Sequence, residues 1–207
     1  MNYGQVKRRA LALAQQYSIA GVPVKESYNN QADALLKLPD LVNDAQLLIA
    51  TTARPIPAAA ALETLDREEQ GSGTLYWAPY DLWQVRGSGV LDLTGPQPRR
   101  LPVLAWLGER QFLLEADAPD GAVLEYYRYP HSLGDAPGDD APLDNVPEAQ
   151  AAAAFYAAAH LVRDDDANAY SVLYNEFEAR LARLTAPVAA EQAEVTDAYG
   201  GLYDGVV

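Results

Sequence analysis

Apolar residues recur at helical spacing near both ends of the chain. Near the start, Val6, Ala10, Leu13 and Tyr17 share one face of a helix predicted over residues 3–17. Near the other end, a helix predicted from residue 166 or 167 to 186 has the most regular apolar stripe, formed by Tyr170, Leu173, Tyr174, Phe177, Leu181 and Leu184. Two amphipathic ends that must cover their apolar faces are expected to pack against each other.

Prolines mark further helix boundaries. A short helix is predicted from Asn29 or Asn30 to residue 38, and Pro39 is expected to be an early residue of the next helix. That helix carries the apolar stripe Leu41, Ala45, Leu48 and Thr52 and ends before residues 55–57. Pro147 opens an alanine-rich helix with Phe155 on its buried face.

The middle of the chain has the aromatic and branched residues of short strands, separated by glycine and proline. Residues 67–73 are charged and contain glycine, so we predict a turn there. The hairpin signal around residues 108–110 lies between two further strands. Four to six antiparallel strands are expected, over residues 61–66, 75–77, 82–93, 103–107, 111–115 and 122–129.

These patterns predict an α+β protein: a helical bundle from both chain ends with an inserted antiparallel β subdomain. The predicted helical core consists of Leu41, Leu48, Phe155, Leu173, Phe177 and Leu181. The expected divisions are the N-terminal helices (1–57), the β subdomain (58–130), a linker (131–146), the C-terminal helix pair (147–186) and an extended C-terminal arm (187–207).

Charge narrows the choice of partners. The 207-residue chain has a formal net charge of −14, and residues 131–207 hold 14 acidic groups against 3 basic ones. Nucleic-acid binding requires a basic face, and the sequence shows none. The acidic surface is either a solvated coat or a wall that DNA passes without binding.

The chain has no cysteine and no apolar run long enough for a membrane span. Its N-terminus lacks the long apolar region of a signal peptide.

Candidate chemistry is sparse. Acidic residues near predicted strands could form a glycosidase pair beside Trp77, Trp83 and Trp106, but such residues are also common on strand faces and subunit contacts. Those acids are Asp81, Asp92, Glu115 and Glu125. His131 belongs to the linker region, and His160 is expected to be a core or interface residue. No motif for a nucleophile, nucleotide or metal is present, so we expect no catalysis, cofactor or metal.

The last twenty residues have no helical stripe but keep apolar side chains, namely Tyr199, Leu202, Tyr203, Val206 and Val207. A tail that stays fully solvated gains no stability from apolar side chains. They indicate an arm that becomes ordered on a neighbour, or a terminus that is disordered or folds back on its own domain.

Several stretches resemble the head-to-tail connector (adaptor, or neck) proteins of tailed phages, the broad group of the podovirus tail-tube protein A. Residues 30–39 and 43–52 are similar to the N-terminal helices of that family, and 80–83 to the start of its β insertion. The C-terminal helix pair of that family resembles three features of this chain: the Pro-Glu step at 147–148, the alanine-tyrosine helix and the apolar stripe over 170–184.

The resemblance implies a structural virion protein, located in the neck between capsid and tail and assembled in the host cytoplasm. It implies a ring, usually of twelve copies, that binds the portal protein and a tail or nozzle protein, while genomic DNA passes through without specific binding. No membrane is involved. The tryptophan- and tyrosine-rich middle leaves one alternative open, a carbohydrate- or host-surface-binding module of a phage tail.

Overall fold

A computed structural model describes residues 1–16, 28–70, 73–108, 110–115 and 118–185. The helices are α1 (Tyr3–Gln16), α2 (Tyr28–Thr52), α3 (Pro147–Val162) and α4 (Ala167–Thr185). The strands between them are β1 (Ile56–Ala61), β2 (Arg67–Gln70), β3 (Gly73–Trp77), β4 (Leu82–Asp92), β5 (Arg99–Leu101), β6 (Val103–Leu107), β7 (Gln111–Leu114) and β8 (Ala122–Arg128). The predicted α+β class is therefore confirmed.

The helical module, α1 to α4, has α3 at its centre, where it packs against each of the other three helices. The buried face of α3 is almost entirely alanine, and small side chains let neighbouring helices approach closely. Its wholly buried alanines are Ala149, Ala152, Ala153, Ala154, Ala157, Ala158 and Ala159. Of the predicted core residues, Phe155, Leu173 and Phe177 are buried, and Leu41, Leu48 and Leu181 are partly buried around them.

Helix α2 corrects two predictions. It is one continuous helix with Pro39 inside it, not a short helix followed by a second one that begins at Pro39. Its buried stripe is Leu38, Val42, Ala45 and Ile49, so the face turned to α3 is rotated from the one predicted. Pro39 removes one backbone hydrogen bond, but the buried residues that flank it hold both halves of the helix on the same core.

The β module, β1 to β8, consists of two antiparallel four-stranded sheets, in the orders β1-β8-β4-β5 and β2-β3-β7-β6. Only Pro102 separates β5 from β6, so the chain passes directly from one sheet into the other. Residues 62–66 make the same passage from β1 to β2. The β module therefore has two direct chain crossings between its sheets. Its core includes Tyr76, Val90, Phe112 and Leu124.

The strand assignments needed three corrections. Residues 67–70 form β2 where a charged turn was predicted, because pairing with β3 stabilises them. Strand β5 was not predicted, and the described residues contain eight strands in place of the four to six expected. The strand expected over residues 61–66 lies earlier, at Ile56–Ala61, and a 3-10 turn follows it at Leu62–Thr64. The other strands lie where the sequence placed them.

Residues 131–146, predicted as a linker, have no helix or strand but are bonded along the helical module. The backbone N–H groups of Tyr3 and Gly4 donate to the carbonyls of Ala141 and Asp139, both at 2.9 Å. The Asn43 side chain on α2 accepts a hydrogen bond from the N–H of Leu133 at 2.8 Å. This segment is thus part of the folded body.

Candidate functional site

A polar cluster, which we call the joint, connects the two modules. Arg128 at the end of β8 forms two contacts of 3.0 Å with the Asp144 carboxylate. The N–H of Asp144 donates to Gln46 Oε1 on α2 at 3.2 Å. Gln150 on α3 donates to the carbonyls of Leu143 and Asn145. The joint therefore ties the last strand of the β module to two helices.

The surroundings of Asp144 and Arg128 in the joint favour the ionised form of both side chains. Burial opposes ionisation of Asp144 and is the largest single effect. Hydrogen bonds from Arg128 and His131 and the charge of Arg128 outweigh it, so the pKa of Asp144 falls to about 2. The hydrogen bond to Asp144 raises the pKa of Arg128. The ion pair is therefore intact at neutral pH.

A second, partly buried contact lies beside the joint. The Tyr126 hydroxyl donates to the Asp81 carboxylate at 3.0 Å. Burial, then this hydrogen bond and the charge of Asp81, raise the pKa of Tyr126 to about 12. Asp81 thus accepts a hydrogen bond from a neutral tyrosine, and this contact helps to pack the strand ends together.

The predicted strand carboxylates Asp81 and Asp92 lie far apart, and Glu125 lies on the outer face of its sheet. Asp81 precedes the start of β4 and Asp92 ends it, and the register with β8 separates them by about 20 Å at ~3.3 Å per residue. Glu125 alternates with the inward-facing Leu124 and Tyr126, so it lies on the opposite face of its sheet, near Arg86. Glycosidase pairs require about 5–10 Å, so Asp81 and Asp92 do not form such a pair. Glu115 is exposed.

The tryptophans are also dispersed. Trp106 contacts Phe112, with ring centroids 5.0 Å apart, while Trp77 and Trp83 have no aromatic ring contact within the described ranges. A different aromatic is the most exposed: Tyr80 is 89% exposed, and the Arg110 guanidinium stacks 3.7 Å from its ring centroid. Sequence reasoning did not single out Tyr80 as a surface feature.

His160 lies in a tyrosine cluster between α3 and α4. Its ring centroid is 4.3 Å from that of Tyr156, 5.8 Å from Tyr170 and 6.1 Å from Tyr174. Burial, followed by the charge of Arg163, lowers the pKa of His160. A half-buried neutral imidazole among aromatic rings packs the interface between the two helices. His131, in contrast, is exposed and borders the joint.

Large apolar side chains are exposed in both modules. On α2 they are Leu35, Leu36 and Leu47, with Leu36 73% exposed. On β6 they are Leu104, Trp106 and Leu107, with Leu104 51% exposed. Leu36 and Leu47 lie within about 20° on the helix and about 16 Å apart along its axis. Each module therefore offers exposed apolar side chains for a contact.

The predicted arm residues Tyr199, Leu202, Tyr203, Val206 and Val207 lie outside the described residues. Within the described part, no helix is both long and apolar enough to span a bilayer, and no group of three potential metal ligands converges. The chain matches no model of a protein family and has no significant match among curated protein sequences.

Proposed function

We propose that the protein is a structural adaptor of a tailed-phage neck, forming a ring that joins the portal to the tail and lines the DNA exit channel. The observation that carries this proposal is that large apolar side chains are exposed on both modules, on α2 and on β6. A contact between unlike surfaces repeats head to tail and closes into a ring when the rotation allows. The sequence resemblance to connector proteins supplies the partners.

The proposed mechanism is assembly without catalysis and without a cofactor. Each copy attaches to the portal through its C-terminal arm, residues 187–207, and repetition around the ring turns modest affinity per copy into stable attachment. The net charge of −14 suits a channel wall, because it repels the phosphate backbone and DNA passes without specific binding.

The test is single-particle imaging of the purified chain, alone and with a candidate portal protein. We expect rings of about twelve copies, alone or on the portal. A matched variant that lacks residues 188–207 should remain folded by circular dichroism and fail to attach to the portal. A full-length chain that stays monomeric in the presence of portal rejects the proposal, and unchanged attachment of the truncated chain rejects the role of the arm.

The exposed ring of Tyr80 favours a second candidate, a carbohydrate- or host-surface-binding module, because sugars stack on exposed aromatic faces. A glycan array separates the two. Binding that is lost in Tyr80→Ala or Trp106→Ala and kept in Trp77→Ala would support the second candidate. An array without signal would count against it.

A further inference from the structure

Two arginines from different helices stack on one aromatic ring of the helical module. The guanidinium carbon of Arg180 on α4 lies 4.3 Å from the ring centroid of Phe155, and that of Arg9 on α1 lies 5.5 Å from it. The two groups are therefore at most about 10 Å apart, close to the screening length of physiological salt. Arg183, three residues beyond Arg180 and exposed, adds a third positive charge. We call Arg9, Arg180 and Arg183 the arginine cluster.

The described residues neutralise little of the charge of this cluster. Among them, Arg9 and Arg183 have no ion-pair partner. Arg180 has Glu176, which lies 3.9 Å away and is 53% exposed, and exposed pairs of this kind contribute little. In a chain of net charge −14, the arginine cluster is a local surface of the opposite sign that fits an acidic ligand.

The chain itself contains an acidic segment of suitable charge. Residues 187–207, the arm, lie outside the described residues. The arm has no lysine or arginine, and its acidic residues are Glu191, Glu194, Asp197 and Asp204. Three of these precede the apolar residues that begin at Tyr199. The sequence of the arm thus offers three carboxylates, matching the three arginines of the cluster.

The arm starts close enough to reach the cluster. Helix α4 ends at Thr185, and Arg180 is five residues earlier, about 7.5 Å along the helix axis. The six residues from Thr185 to Glu191 can span about 20 Å. The distance from the end of α4 to either stacked arginine is therefore within the length of the connecting chain.

We propose that, before assembly, the acidic first half of the arm binds the arginine cluster of the same molecule. Carboxylates and guanidinium groups form charge-assisted hydrogen bonds, often in bidentate pairs. The connecting chain is short, so the effective concentration of the arm at its own cluster reaches about the millimolar range. This favours the molecule's own arm over the arm of a second copy.

The contact deepens the proposed function, on which it rests only for the ligand that displaces the arm. An arm bound to its own helical module is kept from other copies. A portal protein must then compete with the arginine cluster for the arm. Because the contact is ionic, salt should weaken it and release the arm.

Zero-length carbodiimide cross-linking tests the contact, because it joins a carboxylate only to an amine that touches it. Full-length Arg9→Lys and Arg180→Lys keep the positive charge and place an amine in the cluster. Full-length Arg163→Lys is the matched control. Arg163 is 57% exposed and precedes the first residue of α4, whose 19 residues extend about 28 Å to the start of the arm. Cross-linked peptides are identified by mass spectrometry.

We expect cross-links from position 9 or 180 to the arm acids Glu191, Glu194 or Asp197. They should occur in the monomer band at about five times the yield of arm cross-links in the control, because the arm is held at the cluster. Control-level yields in both variants overturn the proposal. Arm cross-links found only in the dimer band assign the cluster to the arm of a second copy and overturn the intramolecular contact.

A dye on the arm gives an independent readout, since the natural chain has no cysteine. Full-length Thr196→Cys is labelled, and its fluorescence anisotropy is measured. Adding both Arg9→Gln and Arg180→Gln should lower the anisotropy toward its value in about 1 M salt, where ionic contacts are screened. Arg163→Gln should leave it unchanged, with circular dichroism as the check of folding. Anisotropy that responds to neither the paired substitutions nor salt overturns the ionic contact.

The outcomes separate this contact from the neck function. Arm cross-links in a chain that never binds portal would reject the neck function and leave the contact standing. Portal attachment by a chain with control-level cross-links would do the reverse. Where portal does bind, adding it should lower the yield of arm cross-links, and an unchanged yield overturns the proposed competition.

Discussion

Arg128 and Asp144 face each other through paired nitrogen–oxygen contacts of 3.0 Å, although sixteen residues separate them in the chain. Their side chains are 16% and 18% exposed, so the pair is largely removed from water. The backbone N–H of Asp144 donates to Gln46 on α2. The Gln150 side chain on α3 donates to the carbonyl of Leu143, the residue before Asp144. This one ion pair therefore helps to hold the β module against the helices.

Removing the charge of Asp144 should weaken the joint. We expect Asp144→Asn to lower the free energy of unfolding by about 2 kcal/mol, because Arg128 then loses a charged hydrogen-bond partner in a partly buried site. Urea unfolding followed by circular dichroism measures the change. Asp164→Asn is the matched control, since Asp164 pairs with Arg163 on the surface and is 80% exposed. It should cost less than about 0.5 kcal/mol. Equal effects would contradict the structural role of the joint.

The same pair predicts a dependence on acid. The folded chain holds the pKa of Asp144 at about 2, below its ordinary 3.8. Because the folded pKa is the lower one, the stabilisation is present above pH 3.8 and is lost as the pH falls toward 2. The difference in melting temperature between the natural chain and Asp144→Asn should shrink over that range. A difference independent of pH would show that the ionised carboxylate is not what stabilises the joint.

Phe177 should be a main support of the helical module. It is 1% exposed, and its ring centroid lies 5.2 Å from that of Tyr156 on α3. Phe177→Ala should cost about 3–5 kcal/mol of unfolding free energy, because it removes buried apolar surface and leaves a cavity. Val172→Ala on the exposed side of the same helix should cost less than about 1 kcal/mol. Similar losses from both would mean that α4 is not packed through Phe177.

The alanine face of α3 should tolerate no larger side chain. Ala157 is completely buried, and Ala157→Leu should cost about 1–3 kcal/mol, since the neighbouring helices must move apart to admit it. Ala182→Leu, on an exposed position of α4, should be nearly neutral because alanine and leucine both favour helix. Thermal unfolding of the two variants makes the comparison. A neutral Ala157→Leu would indicate empty space beside α3.

Local spacing was enough to predict most helices and strands, but not which face turned inward. In α2, the stripe through Leu41, Leu48 and Thr52 and the stripe through Leu38 and Ile49 both have helical spacing. The position of α3 decides between them, and α3 follows about a hundred residues later. The effect of Pro39 was equally hard to predict from the local sequence. A proline ends a helix only where packing does not hold the residues before and after it in one helix.

Strand β2 and the joint depend on distant residues. The charges of Glu68 and Glu69 and the adjacent glycine predict a turn, and only the pairing with β3 makes the segment a strand. Gln46 and Asn145 are 99 residues apart, and their hydrogen bond follows no spacing rule. The carboxylates near the tryptophans had the composition of a sugar site, but strand register set Asp81 and Asp92 far apart.

Ile56, the first residue of β1, lies directly opposite Arg128, the last residue of β8. Their Cα atoms are therefore only about 5 Å apart, and the chain leaves the β module beside the point where it enters. A unit inserted in this way can be exchanged as a cassette, provided that its last strand keeps an arginine opposite Asp144. The helices could thus keep one set of attachments while a different β module is substituted to meet a different neighbour.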